Sequence, residues 1–119
     1  MKHIKTYKTF ESSEYPEETI QEIIQYLKDI FQELVDVGYT IDIYDESYYR
    51  DKIVIRLNII KKNFEDKPLY FKADEVHDTV ISSIDYTKSI GMKSSVVDFN
   101  SNAINWDGST NWIIMYFKN

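Results

Sequence analysis

The chain has 119 residues, no cysteine, and 20 acidic against 14 basic side chains, for a formal net charge of −6. That length supports one hydrophobic core rather than two, and the lack of cysteine excludes a disulfide framework, a thiolate nucleophile and thiolate metal sites. With only two arginines, Arg50 and Arg56, on an acidic chain, direct nucleic-acid binding is disfavoured and a basic partner is favoured.

An apolar fraction of 43% with only 3 Gly and 2 Pro is that of a globular chain. No stretch approaches the roughly 18 apolar residues needed to span a bilayer, and no apolar segment follows the basic start as a secretory signal would require. The expectation is a single α+β domain over residues 1–119, cytoplasmic, with no membrane association and no cofactor. A bias toward Ile, Lys, Asn and Tyr, with Ala73 and Ala103 the two alanines, suggests an A/T-rich coding sequence of the kind found in many bacteria, phages and mobile elements.

In chain order, the alternation of Ile4, Thr6, Lys8 and Phe10 predicts an edge strand or a mobile arm within residues 1–14. Pro16 suits a first helical position. Ile20, Ile23, Ile24, Leu27, Ile30, Phe31 and Leu34 then keep the spacing of one helix face, and Gly38 stands where such a helix ends. The opposite face carries Glu17, Glu18, Glu22, Asp29, Glu33 and Asp36 against Lys28. The early acids suit the helix dipole, whereas Glu33 and Asp36 lie where negative charge is mildly unfavourable.

Residues 39–44 and 52–60 read as a β-hairpin, with Ile53, Ile55, Leu57 and Ile59 at every second position. After a charged connection, residues 68–72 predict a short edge strand opened by Pro68. A second helix is expected from an N-cap at Asp74 to about Ile90, with Val76, Val80, Ile81, Ile84 and Ile90 as its apolar stripe and Gly91 after it. Residues 93–99 and 110–117 give a second hairpin, with a turn signal at Asp107 and Gly108. The order α-β-β-α-β-β predicts a two-layer sandwich: an antiparallel sheet of four strands, or five with residues 68–72, and both helices on one face.

Chemistry-bearing patterns are few. Asp42, Asp45, Glu46 and Asp51 cluster near the first hairpin tip, but they lack the ligand spacing and central Gly of a calcium loop, so a solvated turn accounts for them and no metal site is expected. The loop over residues 100–111 lacks a terminal acid ligand and is composed of ordinary turn formers around Trp106, which is either a partner contact or packing over the sheet end. His77 has no recognisable nucleophile or orienting partner and is expected at the surface. No phosphate loop, dinucleotide fingerprint, zinc spacing or nucleophile elbow is present. The expectation is therefore a non-catalytic protein.

The tyrosines are denser than the fold needs, with Tyr39, Tyr44, Tyr48 and Tyr49 in the first hairpin and its tip. Tyrosine suits recognition because it offers a large, fairly rigid contact area with a polar end. Some of these rings alternatively cover the outer face of the sheet. The expected partner-binding residues are Glu18, Glu22, Asp29 and Glu33 on the helix, Asp45, Glu46, Tyr48, Tyr49 and Asp51 at the tip, and Trp106. The expected partner is a protein with a basic surface.

At the N-terminus, Lys5-Thr-Tyr-Lys-Thr-Phe-Glu11 resembles the short leader of internal head proteins of large tailed phages. The resemblance covers about ten of the residues and implies a phage-like origin. In that family the leader directs packaging and is removed by a protease cutting after Glu; here the nearest such site, Ile20-Gln-Glu22, lies within the predicted helix, where a folded chain resists cutting. Two functions follow as expectations: an inhibitor or immunity-type protein that blocks a basic surface of a partner, or a structural or accessory virion protein that self-associates as a homodimer or larger assembly.

Overall fold

The computed structural model describes residues 17–47 and 52–119. Residues 1–16, with the predicted edge strand and the leader-like segment, lie outside the described residues, as do Tyr48, Tyr49 and Asp51 at the hairpin tip.

The chain forms a two-layer α+β fold with both helices on one face of an antiparallel sheet, as the element order predicts. Helix α1 (Glu17–Asp36) is followed by the hairpin β1 (Tyr39–Asp45) and β2 (Val54–Lys62), then the short strands β3 (Pro68–Leu69) and β4 (Phe71–Lys72). A 3-10 turn (Ala73–Val76) enters α2 (His77–Ser89), and β5 (Lys93–Asp98), β6 (Ser109–Thr110) and β7 (Ile113–Lys118) complete the chain. The strand order is β1-β2-β7-β5, with β3 beside the end of β2; β4 and β6 make a separate two-stranded ribbon.

Every strand pair is antiparallel, and the register fixes which side chains share a face. Ile43, Leu57, Met115 and Val96 form one row across the sheet, and Ile41, Ile59, Ile113 and Asp98 the next. These rows meet Ile20, Ile23, Ile24, Leu27, Phe31 and Leu34 of α1, together with Val76 and Val80, in the core. The α1 stripe matches its sequence spacing, and Gly38 follows the helix with φ 105°, a left-handed value that glycine adopts without strain. Gly91 repeats this after α2 at φ 89°, with the Met92 N–H donating to the Thr87 carbonyl.

Three parts of the sequence reading need correction, the first being the second helix, in both its cap and its stripe. Asp74 is not the N-cap of the second helix: it lies inside the 3-10 turn, and neither this turn nor α2 has a side-chain cap. The expected stripe is also rotated, since Ile81 is exposed while Ser83 and Thr87 are buried. Their hydroxyls bond back to their own helix, Ser83 to the Val80 carbonyl at 2.7 Å and Thr87 to the Ser83 carbonyl at 2.9 Å. A satisfied small hydroxyl is buried at little penalty and lets the helix sit close to Met115.

The second correction divides residues 68–72 at Tyr70, since β3 pairs with β2 and β4 pairs with β6. The third removes Thr110 from the last strand, because it pairs with Phe71 in that small ribbon. The Trp112 N–H donates to the Thr110 hydroxyl at 3.2 Å, a local turn that separates β6 from β7.

Candidate functional site

The two helices run antiparallel, and two contacts fix this. Tyr26 stacks on Tyr86 with ring centroids 4.9 Å apart, and near the other end of α1 the Thr79 hydroxyl donates to the Glu33 carboxylate. Glu33 therefore sits beside the first turn of α2, where unpaired N–H groups favour a negative charge. Its position near the end of α1, unfavourable for its own helix, is explained by the neighbouring one.

The other α1 acids face outward. Asp29 accepts from the Gln25 amide at 3.1 Å and Asp36 from the Gln32 amide at 2.9 Å, and both pairs are exposed. Glu22 is half-buried. The backbone of Glu18 lies in α1, while its side chain is outside the described residues. Because the helices lie side by side, the exposed Asp78 and Asp85 of α2 join this layer, with Lys28 and Lys88 as its exposed helical cations. The acidic surface thus extends across two helices, and the α2 part carries no periodic signal in the sequence.

The described part of the hairpin tip is tied inward. The Asp45 carboxylate accepts the Ser47 N–H at 2.9 Å, and the Ser47 hydroxyl accepts the Val54 N–H at 2.9 Å. Glu46 pairs with Arg56 at 3.0 Å, and the Arg56 guanidinium lies 4.7 Å from the centroid of the Tyr44 ring. Trp106 lies in the long loop between β5 and β6, toward the opposite end of the strands. It is half-buried, packs on the core, and has the His77 ring edge-on at 4.7 Å. His77 is half-buried there, with Asp78 Oδ1 3.4 Å from its Nδ1.

Tyr39 belongs neither to a recognition tip nor to the outer face of the sheet: it is buried in the core beneath the helices. Its hydroxyl donates to Glu75 at 2.5 Å, Phe71 meets its ring edge-on at 5.2 Å, and the Lys61 ammonium lies 4.9 Å from its centroid. Burial, then the hydrogen bond and charge of Glu75 and the charge of Asp74, hold its hydroxyl well above the ordinary tyrosine range.

Sequence reasoning passed over two exposed aromatics near the end of β2. Phe64 is 95% exposed and Tyr70 is 69% exposed. Phe64 sits on a built turn: Asn63 Oδ1 accepts the Glu65 and Lys67 N–H groups, Asp66 is left-handed at φ 66°, and Lys62 pairs with Asp66 at 3.3 Å. The Asn-Phe-Glu-Asp run signals a turn, but not that an apolar ring would be left uncovered on it.

Among the described residues, no group of three or more His, Asp or Glu side chains converges on a metal position, and no helix is long and apolar enough to cross a membrane. No protein-family model, curated protein or solved structure matches the chain.

Proposed function

We propose that this chain is a small non-catalytic protein that binds a basic surface of another protein and blocks it, in the manner of an inhibitor or immunity protein encoded by a phage or mobile element. The observation that carries the reading is the acidic layer formed where α1 and α2 lie side by side, with Asp29, Asp36, Asp78 and Asp85 exposed on it. A single-sign surface of this kind raises the encounter rate with an oppositely charged partner and fixes orientation more than it adds final affinity.

An apolar anchor accompanies the charge. Lys61 pairs with Tyr39, which follows the end of α1, so the Phe64 turn projects from the same end of the molecule as Asp36. An exposed aromatic carried on a hydrogen-bonded turn at the end of a charged layer suits a partner with an apolar pocket rimmed by Lys or Arg. The phage-like origin rests on the leader resemblance at residues 5–11 and on the Ile, Lys, Asn and Tyr bias.

Capture from a lysate of the native host, with bound proteins identified by mass spectrometry, tests the proposal. The wild-type chain is expected to retain a basic protein that is released by salt, and the variant carrying Asp29→Lys, Asp36→Lys, Asp78→Lys and Asp85→Lys is expected to lose it. Retention of the same proteins by both chains, at the same salt, refutes the acidic-layer reading.

A further inference from the structure

The two helices leave a groove between them on the side away from the sheet, and helical spacing fixes what lines it. Along α1, Glu22, Tyr26, Asp29, Glu33 and Asp36 recur at alternating intervals of four and three, which places them on one line. That line borders α2, because Tyr26 stacks on Tyr86 and Glu33 accepts the Thr79 hydroxyl. On α2 the residues that follow these two contacts, Val80 and Thr87, are buried. The residues that precede them, Asp78 and Asp85, therefore stand on the solvent side of the groove, and both are exposed. Lys28 and Lys88 each follow one of the stacked tyrosines by two residues, about 200° round their helices, and so stand on the far flanks.

The groove thus has carboxylates on both walls, a half-buried tyrosine pair at its floor, and neither of the helical lysines. Among the described residues, no lysine or arginine pairs with Asp29, Glu33, Asp36, Asp78 or Asp85; the one ionisable base beside them is His77, whose Nδ1 is 3.4 Å from Asp78. Carboxylates that face one another across a groove repel, and a cationic occupant relieves this.

The chain carries cations that reach the groove. Residues 1–10 hold Lys2, Lys5 and Lys8 and no acid, whereas residues 11–119 hold all 20 acids against the remaining 11 bases. This basic segment is joined to α1 at the end where the tyrosine pair lies. Tyr26 is nine residues into the helix from Glu17, a rise of about 14 Å, and the seven residues from Phe10 to Glu17 span up to about 23 Å. From Tyr26 to Asp36 the line runs about 15 Å further, and the eight residues from Lys2 to Phe10 cover up to about 26 Å.

We infer that this groove is the docking site of the chain's own N-terminal segment, residues 2–10, with Phe10 against the Tyr26–Tyr86 pair and the three lysines among the carboxylates of both walls. Each exposed ion pair contributes little alone. The tether makes docking favourable, because a short flexible connection holds the segment beside the groove at an effective concentration on the order of millimolar. Salt weakens it by screening. The consequence rests on the proposed function: the docked segment covers the surface offered to a basic partner, so a partner must displace it. The segment is then a built-in competitor that excludes weakly basic proteins and yields to a complementary one.

Paramagnetic relaxation measures the docking directly. Because the chain has no cysteine, Thr6→Cys takes a nitroxide at a single place. With the labelled protein in an excess of unlabelled protein, so that only contacts within one molecule are read, the amide signals of residues 25–29 and 82–86 should lose intensity at low salt and recover it at high salt. Lys2→Glu with Lys5→Glu and Lys8→Glu should abolish the loss, and so should Asp29→Lys with Asp85→Lys, all judged folded by circular dichroism. A synthetic peptide of residues 1–12 should bind the variant with the reversed segment severalfold more tightly than it binds wild type, whose groove is occupied.

Undiminished groove signals at low salt, or a loss confined to the edge strands β1 and β5, overturns the inference. So does a loss that vanishes in the excess of unlabelled protein, which would assign the segment to the groove of a second copy. Lysate capture separates this inference from the proposed function: docking by the label, with no basic protein retained by wild type or by the reversed-segment variant, upholds the docked segment and refutes the proposed function alone.

Discussion

Replacing Tyr39 by Phe removes one hydroxyl from the junction between β1 and the turn before α2, and its effect should depend on pH. Tyr39 is buried and donates to Glu75 at 2.5 Å. At pH 7 the loss is that of one hydrogen bond to a charged acceptor, reduced because the exposed Glu75 regains water; about 1 kcal/mol is expected. The alkaline behaviour follows from linkage. Burial, with Glu75 and Asp74 adding to it, holds the folded hydroxyl well above the ordinary range, whereas in the unfolded chain it ionises near pH 10. A raised folded pKa means that this stabilisation is complete below about pH 10 and is lost above it, as the unfolded chain releases a proton that the folded chain retains. Each pH unit beyond about 10 should then lower wild-type stability by about 1.4 kcal/mol more than the variant's. Urea unfolding followed by tryptophan fluorescence from pH 7 to pH 11 measures this, and the remaining tyrosines cancel in the difference between the two proteins. A constant gap between wild type and variant at all pH values would refute the reasoning.

Three further outcomes are expected. Gly38→Ala should destabilise by about 1–2 kcal/mol, because φ 105° is strained for any residue with a Cβ, and equilibrium denaturation of the variant checks it. Glu33→Gln and Thr79→Val should each cost about 0.5–1 kcal/mol and be non-additive in a double-mutant cycle, since they remove the two ends of one contact between the helices. Asn58→Leu should stabilise the fold by about 1–2 kcal/mol by removing a buried acceptor without a donor, and urea unfolding reads the gain.

The architecture was legible because the α1 stripe and the alternation in β2 each repeat without interruption, leaving few ways to bury both. Helix α2 was misread for a physical reason: a polar residue in sequence is assigned to the surface, yet Ser83 and Thr87 satisfy their hydroxyls within their own helix and need no water. The site was less legible than the fold. Acidity on α1 shows as a line of carboxylates, but its continuation through Asp78 and Asp85 depends on which helix lies beside which. Glu33 looks like a surface acid until Thr79 is placed against it from 46 residues away. The unpaired atoms of Asn58 and Trp112 are features of pairing, and no local pattern announces them.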